Sequence, residues 1–244
     1  MLRSFGFVFA VLLIAAPVFA HDEEVLDPHN ATRGVRLELS ELPRTKTSAA
    51  VTYRLRVTGV SREVIFNLWT QDFGALFHMV ASGLRVDESG NVVSSRPVKA
   101  GQPHLPITIR PGPYPQGAAW SVALVSVDRA VRAFAAAIPR PIIARSGTCM
   151  VQLELVSYRG DRFVATGAGF PPGDEVTIES RYASRVIEKR QTISSEGRLP
   201  LEVIEHERIG PDNSPGHKAR YVVKCQPCAV AIDYHWGARA LSRR

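Results

Sequence analysis

An all-β fold, built as two tandem β-sandwich domains behind a cleavable leader, is predicted by three observations. Apolar and polar residues alternate with period two along most of the chain. Clusters of Gly, Pro, Asn, Asp and Ser interrupt that alternation at short intervals. A helical spacing competes with it in only one segment. The predicted division is a signal peptide at 1–20, a flexible acidic arm at 21–33, a first sandwich at 34–143 and a second at 144–244.

Residues 1–20 carry one charge, Arg3, then an apolar run from Phe5 to Ala16, then Pro17-Val18-Phe19-Ala20. Val18 and Ala20 suit the pocket of a signal peptidase, so cleavage before His21 is expected. The run falls short of the ~20 apolar residues that a membrane helix needs, and no later stretch is apolar enough. The chain is therefore expected to be soluble, not membrane-spanning, and periplasmic or secreted. The residue directly after the cleavage point is histidine rather than cysteine, so the acylated-lipoprotein route is not expected.

The lead from His21 to Arg33 (HDEEVLDPHNATR) is acidic and turn-rich, hence the flexible arm. Alternation begins with Val35, Leu37 and Leu39 on one face and Arg36, Glu38 and Ser40 on the other. It returns with Val51, Tyr53, Leu55 and Val57 against Thr52, Arg54, Arg56 and Thr58. Glu63 to Thr70 and Trp120 to Val127 read as further strands, and Glu88-Ser89-Gly90-Asn91 turns between two short β runs. Residues 103–115 hold five prolines and are expected to form a stiff loop or an edge, because proline cannot donate to a central ladder. Asp128 to Ile138 has two readings. Val131, Phe134, Ala135 and Ile138 would share a helical face, whereas Asp128-Arg129 would turn a hairpin; the neighbouring strands favour the hairpin.

Ile138-Pro139-Arg140-Pro141-Ile142, followed by Ser146-Gly147, reads as a semi-rigid linker. Beyond it Cys149, Val151, Leu153 and Leu155 alternate. The last strand sets Cys228, Val230, Ile232, Tyr234 and Trp236 against Ala229, Ala231, Asp233 and His235. Turn signals at Gly160-Asp161, Pro171 to Asp174, Ser194 to Gly197 and Pro211 to Gly216 separate about seven short strands, the pattern of an immunoglobulin-type sandwich. The segment Gly167-Ala168-Gly169-Phe170-Pro171-Pro172-Gly173-Asp174-Glu175-Val176-Thr177-Ile178 resembles the strand–turn–strand of bacterial immunoglobulin-like extracellular modules. The whole chain also looks like exported bacterial proteins of no assigned function. That resemblance implies a fold and a compartment, and it brings no functional residues with it.

The formal charge is +7, with 25 Arg against 5 Lys. The cations fall singly along alternating segments, as at Arg54 and Arg56, which is a solvated strand face rather than a nucleic-acid track. Nucleic acid is therefore not an expected partner. Anionic surfaces such as lipid headgroups or acidic polysaccharide remain general electrostatic partners.

Three cysteines are present, Cys149, Cys225 and Cys228. Cys225-Gln226-Pro227-Cys228 has the spacing of a thioredoxin-like redox pair, but that chemistry wants a helix N-terminus, and a strand follows here. Haem attachment needs histidine at 229, where alanine stands, and His217 and His235 offer no recognisable zinc spacing. A structural disulfide with one thiol left over is the expectation in an oxidising compartment. Cys149 is in phase with Val151, Leu153 and Leu155, and Cys228 with Val230, Ile232 and Tyr234, so the expected bond joins Cys149 and Cys228. Cys225, in phase with Tyr221 and Val223, is the competitor.

Other constellations read as ordinary structure. His21 at a new N-terminus would complete a copper brace with His78 or His104, as in copper-dependent polysaccharide monooxygenases, yet acidic residues and a mobile arm follow it. Arg159-Gly160-Asp161 matches an integrin-binding tripeptide and also ordinary turn chemistry. Asn30-Ala31-Thr32 is a glycan acceptor only in a glycosylating cell. Glu205-His206-Glu207 reads as a solvated strand end, with His206 on the opposite face from the carboxylates. Trp69, Trp120 and Trp236 would make a sugar platform, but the last two continue inward-facing runs.

No catalytic, cofactor or metal site emerges. The expectation is an exported non-catalytic binding, adhesion or envelope-structural protein, whose partner is a protein or an envelope polysaccharide. Its recognition loops would be 103–115 and Asp72 to Met79. The alternatives are a periplasmic pilus-assembly chaperone, of which Ala137-Ile138-Pro139-Arg140 is a faint echo, and the copper enzyme built on His21.

Overall fold

The computed structural model describes residues 23–43, 51–95, 105–206, 218–226 and 228–242. Among them the protein is all-β, with two single-turn 3-10 segments at Pro28–Asn30 and Gly237–Arg239. The strands of the first half are β1 (Glu23–Glu24), β2 (Arg36–Glu41), β3 (Tyr53–Thr58), β4 (Phe66–Gln71) and β5 (Phe77–Val86). They continue with β6 (Val92–Ser94), β7 (Thr108–Ile109), β8 (Trp120–Ser126) and β9 (Arg132–Ala137). One sheet runs β1-β5-β4-β8-β9 with β6 also on β5, and a smaller one runs β2-β3-β7.

The alternation explains the packing. Tyr53, Leu55 and Val57 of β3 point inward against Phe66 and Leu68 of β4 and Trp120, Val122 and Leu124 of β8. Strand β8 is buried on both faces, because Ala123 and Val125 belong to a second apolar cluster with Trp69, Phe77 and Leu26. Leu26 comes from the acidic lead, which corrects the expectation of a flexible arm over its described part. Glu23 pairs with His78 and Glu24 with Phe77, Arg129 forms an ion pair with Glu24, and the Thr32 hydroxyl accepts the Arg132 N–H at 2.9 Å. The physical reason lies on the sheet: Trp69 and Phe77 need a cover, and the lead supplies it.

Asp128 to Ile138 forms a hairpin. Strands β8 and β9 pair from Trp120↔Ala137 to Val125↔Arg132, and Arg129 takes a positive φ of 62° in the turn. The Pro-rich segment is an edge over its described part: Ile109 and Thr108 pair with Tyr53 and Arg54, while Tyr114 is buried and its hydroxyl donates to the Ala119 carbonyl at 2.9 Å.

The second half comprises β10 (Ile142–Ser146), β11 (Cys149–Leu155), β12 (Arg162–Ala168), β13 (Glu175–Tyr182), β14 (Arg185–Thr192), β15 (Arg198–Glu205), β16 (Lys218–Lys224) and β17 (Ala229–His235). Its sheets run β10-β11-β12-β15 and β14-β13-β16-β17. Strand β17 alternates exposed and buried, and β11 buried and half-buried, without a break. The Gly167–Ile178 segment carries the chain from one sheet to the other. Gly169, at φ +79°, is needed there because a Cβ would collide with the Thr148 carbonyl.

The linker reading needs correction. Residues Ile142 to Ser146 are strand β10, paired with β11 from Ile142↔Leu153 to Ser146↔Cys149, so the second half begins before residue 144. The halves are also welded rather than jointed. Leu155 N–H donates to the Gly117 carbonyl at 2.9 Å, Gly117 N–H to the Arg140 carbonyl at 2.7 Å, and Ala118 bridges Leu155. Core residues of both halves form one continuous cluster through Ala118, Ile142 and Leu155.

Candidate functional site

His21, His104, Glu207 and His217 lie outside the described residues. His78 sits on β5 with its Nε2 3.1 Å from the Thr70 hydroxyl. The Arg-Gly-Asp tripeptide is folded into the β11–β12 turn rather than presented. Gly160 is buried, at φ +74°, and its carbonyl accepts the Gly237 N–H at 2.6 Å; the Asp161 carboxylate accepts the Ser157 hydroxyl at 2.5 Å. All three tryptophans are core, so no sugar platform forms from them. The Asp72 to Met79 segment is the β4–β5 turn and the start of β5. Its Gly74 backs onto Tyr158 of the second half, and Phe77 is buried.

His206 departs most from its expected place. It is 3% exposed rather than solvated, packed at 4.6 Å from the Tyr182 ring and 5.0 Å from the Trp236 ring, with Phe163 and Tyr234 completing the cage. Its Nε2 lies 2.9 Å from the Tyr234 hydroxyl, and its Nδ1 has no partner among the described residues. Burial pushes its pKa down to about 4, partly offset by Asp161. Beside it Glu202, 7% exposed, accepts the Tyr221 hydroxyl at 2.6 Å and pairs with Lys189 at 2.6 Å. Burial, and then Glu202, push the Tyr221 hydroxyl well above the usual phenol range. Acid, base and phenols are thus buried between the two sheets, with Glu202 engaged by Tyr221 and Lys189 and the His206 Nε2 by Tyr234. They fasten the sandwich.

The cysteines converge. Cys149 and Cys228 stand at disulfide distance with Cα atoms 6.4 Å apart, both buried, and Cys225 is a half-buried third thiol. Among the described residues they are also a group of His, Cys, Asp or Glu side chains close enough to share a metal ion.

A cleft of about 340 Å³ opens to solvent where the halves meet, lined by Gln116, Arg140, Ile142, His235, Arg239 and Ser242 among others. The weld at Gly117 positions Gln116 and Arg140, whose guanidinium donates to the Tyr114 carbonyl at 3.1 Å. Strand β17 delivers His235, and the 3-10 turn after it delivers Arg239. Among the described lining residues there is no acidic side chain. Sequence reading missed this site: Arg140 was read as linker and His235 as a solvated strand position, and nothing local ties either to Arg239. A second, flatter groove passes the β9–β10 junction between Ala136, Ile138, Ile143 and Glu154, whose carboxyl is raised by burial.

No family model and no curated protein matches the chain. Among solved structures it is similar to the crystal structure of a tetra-tandem repeat in the extending region of a large adhesion protein, at 12% identity and a TM-score of 0.25, over 84% of this chain and 50% of that one. The chain spans about half the length of that structure, and a likeness of this grade transfers no residue role. Among the described residues no helix is long and apolar enough to cross a membrane.

Proposed function

We propose that the protein is an exported, non-catalytic binding protein of the periplasm or cell exterior, and that the basic cleft at the seam takes the carboxylate or other anionic groups of an acidic envelope polysaccharide. Export rests on the leader at 1–20. Two immunoglobulin-like domains are the architecture we infer. The order β11-β12-β15 against β14-β13-β16-β17 corresponds to the A-B-E and C′-C-F-G arrangement of that fold, and this supports the assignment for the second half.

One observation carries the binding reading: Arg140, Arg239 and His235 line one cleft with no acidic residue among its described lining. Clefts at the junction of domains are where ligands usually sit, and guanidinium groups match carboxylates with paired hydrogen bonds. Calorimetric titration of the processed protein should show binding of oligogalacturonate over neutral dextran oligomers, weakening as salt rises. The Arg140→Gln/Arg239→Ala double variant should lose about tenfold or more in affinity with an unchanged circular dichroism spectrum. Equal binding of acidic and neutral oligomers, or an unaffected double variant, rules the cleft out.

A further inference from the structure

The hairpin between β16 and β17 folds two cysteines back on one another. Lys224 pairs with Ala229 across the strands, and the Cys225 N–H donates to the Cys228 carbonyl at 2.8 Å, so residues 225 and 228 sit at the mouth of the turn. Their sulfurs are 2.8 Å apart. Cys149, entering from the first strand after the β10 hairpin, is at disulfide distance from the same Cys228 sulfur, and all three sulfurs lie within 4.8 Å of one another. Cys149 and Cys228 are 1% and 4% exposed, whereas Cys225 is half-buried and the member of the cluster that solvent reaches. A soft-metal site would require all three thiols reduced, and two of the sulfurs are already at bonding distance.

A thiol held against one sulfur of a disulfide occupies the place of the attacking group in thiol–disulfide exchange. We propose that this cluster is an exchange site, with Cys225 the nucleophile, Cys228 the shared electrophile and Cys149 the leaving group. Cys225 gives up its proton and its thiolate attacks the Cys228 Sγ. A Cys225–Cys228 bond forms as the Cys149–Cys228 bond breaks, and Cys149 departs as a thiolate that takes up a proton. One disulfide and one thiol are present before and after, so no external oxidant or reductant enters. The cross-link moves from a span of 79 residues, which ties β11 to β17, to the local turn, and the free thiol moves from a half-buried to a buried position. The turn is thereby an internal exchange site whose half-buried thiol controls a link that lies in the core.

The test uses the full exported chain. The protein is held at mildly alkaline pH without oxygen, quenched in acid, alkylated in denaturant with N-ethylmaleimide and mapped without reduction. Exchange predicts two populations, alkylated at Cys225 with a 149–228 link and at Cys149 with a 225–228 link, in a ratio independent of protein concentration over about tenfold. The Cys149→Ala variant should carry the 225–228 link and no free thiol. Alkylation at Cys225 alone after long incubation, or a concentration-dependent ratio, overturns the exchange while leaving the 149–228 link intact. Three alkylated cysteines overturn both the link and the exchange.

Discussion

Within its aromatic cage His206 is neutral at physiological pH, because a charged imidazolium there would lose its water and the attraction of Asp161 offsets only part of that loss. Its folded-state pKa is depressed, from 6.5 to about 4, so the unfolded chain takes up the proton first as pH falls. The stability this gives is complete above about pH 6.5 and is lost as pH falls toward 4, by roughly 3 kcal/mol in all. Urea unfolding at pH 7 and pH 4 checks it: wild type should lose that increment in excess of His206→Gln. Parallel losses in the two proteins would mean that His206 titrates as an exposed histidine. The same strand holds the partner network. Glu202 faces inward while Leu201 and Val203 on either side are 66% and 51% exposed. Residue polarity alone points the other way; Tyr221 and Lys189 across the sandwich reverse it by satisfying the carboxylate.

Strands and turns followed their local chemistry more closely than single side chains did. Strands β3, β11 and β17 show the period-two burial that their sequences announce, because a pleated strand sends successive side chains to opposite faces whatever its neighbours are. The turn at Ser157–Asp161 is an element whose glycine is required twice, by its positive φ and by its contact with the Gly237 carbonyl. Gly160→Ala should therefore destabilise the protein by about 2–3 kcal/mol, seen as a lower urea midpoint at constant slope. A change under about 0.5 kcal/mol would show that the turn yields freely. The Arg-Gly-Asp match in that turn is turn chemistry, with both the glycine and the aspartate engaged by the fold.

At the scale of the molecule, the continuous core through Ala118, Ile142 and Leu155 makes the halves interdependent. Heat unfolding should proceed in one transition, with a ratio of calorimetric to van't Hoff enthalpy near one. A ratio near two would mean that the weld at Gly117 transmits nothing. Alternation, turn residues and the inward phase of Cys149 and Cys228 were all legible along the chain, since they depend on backbone geometry and nearest neighbours. The cover that Leu26 places on the first sheet, the burial of His206, the arrival of Cys149 at the Cys225–Cys228 turn and the meeting of Arg140 with Arg239 were decided only by tertiary structure. Each joins residues distant in sequence across separate strands or sheets, and no period within one strand encodes which surface another will bring against it.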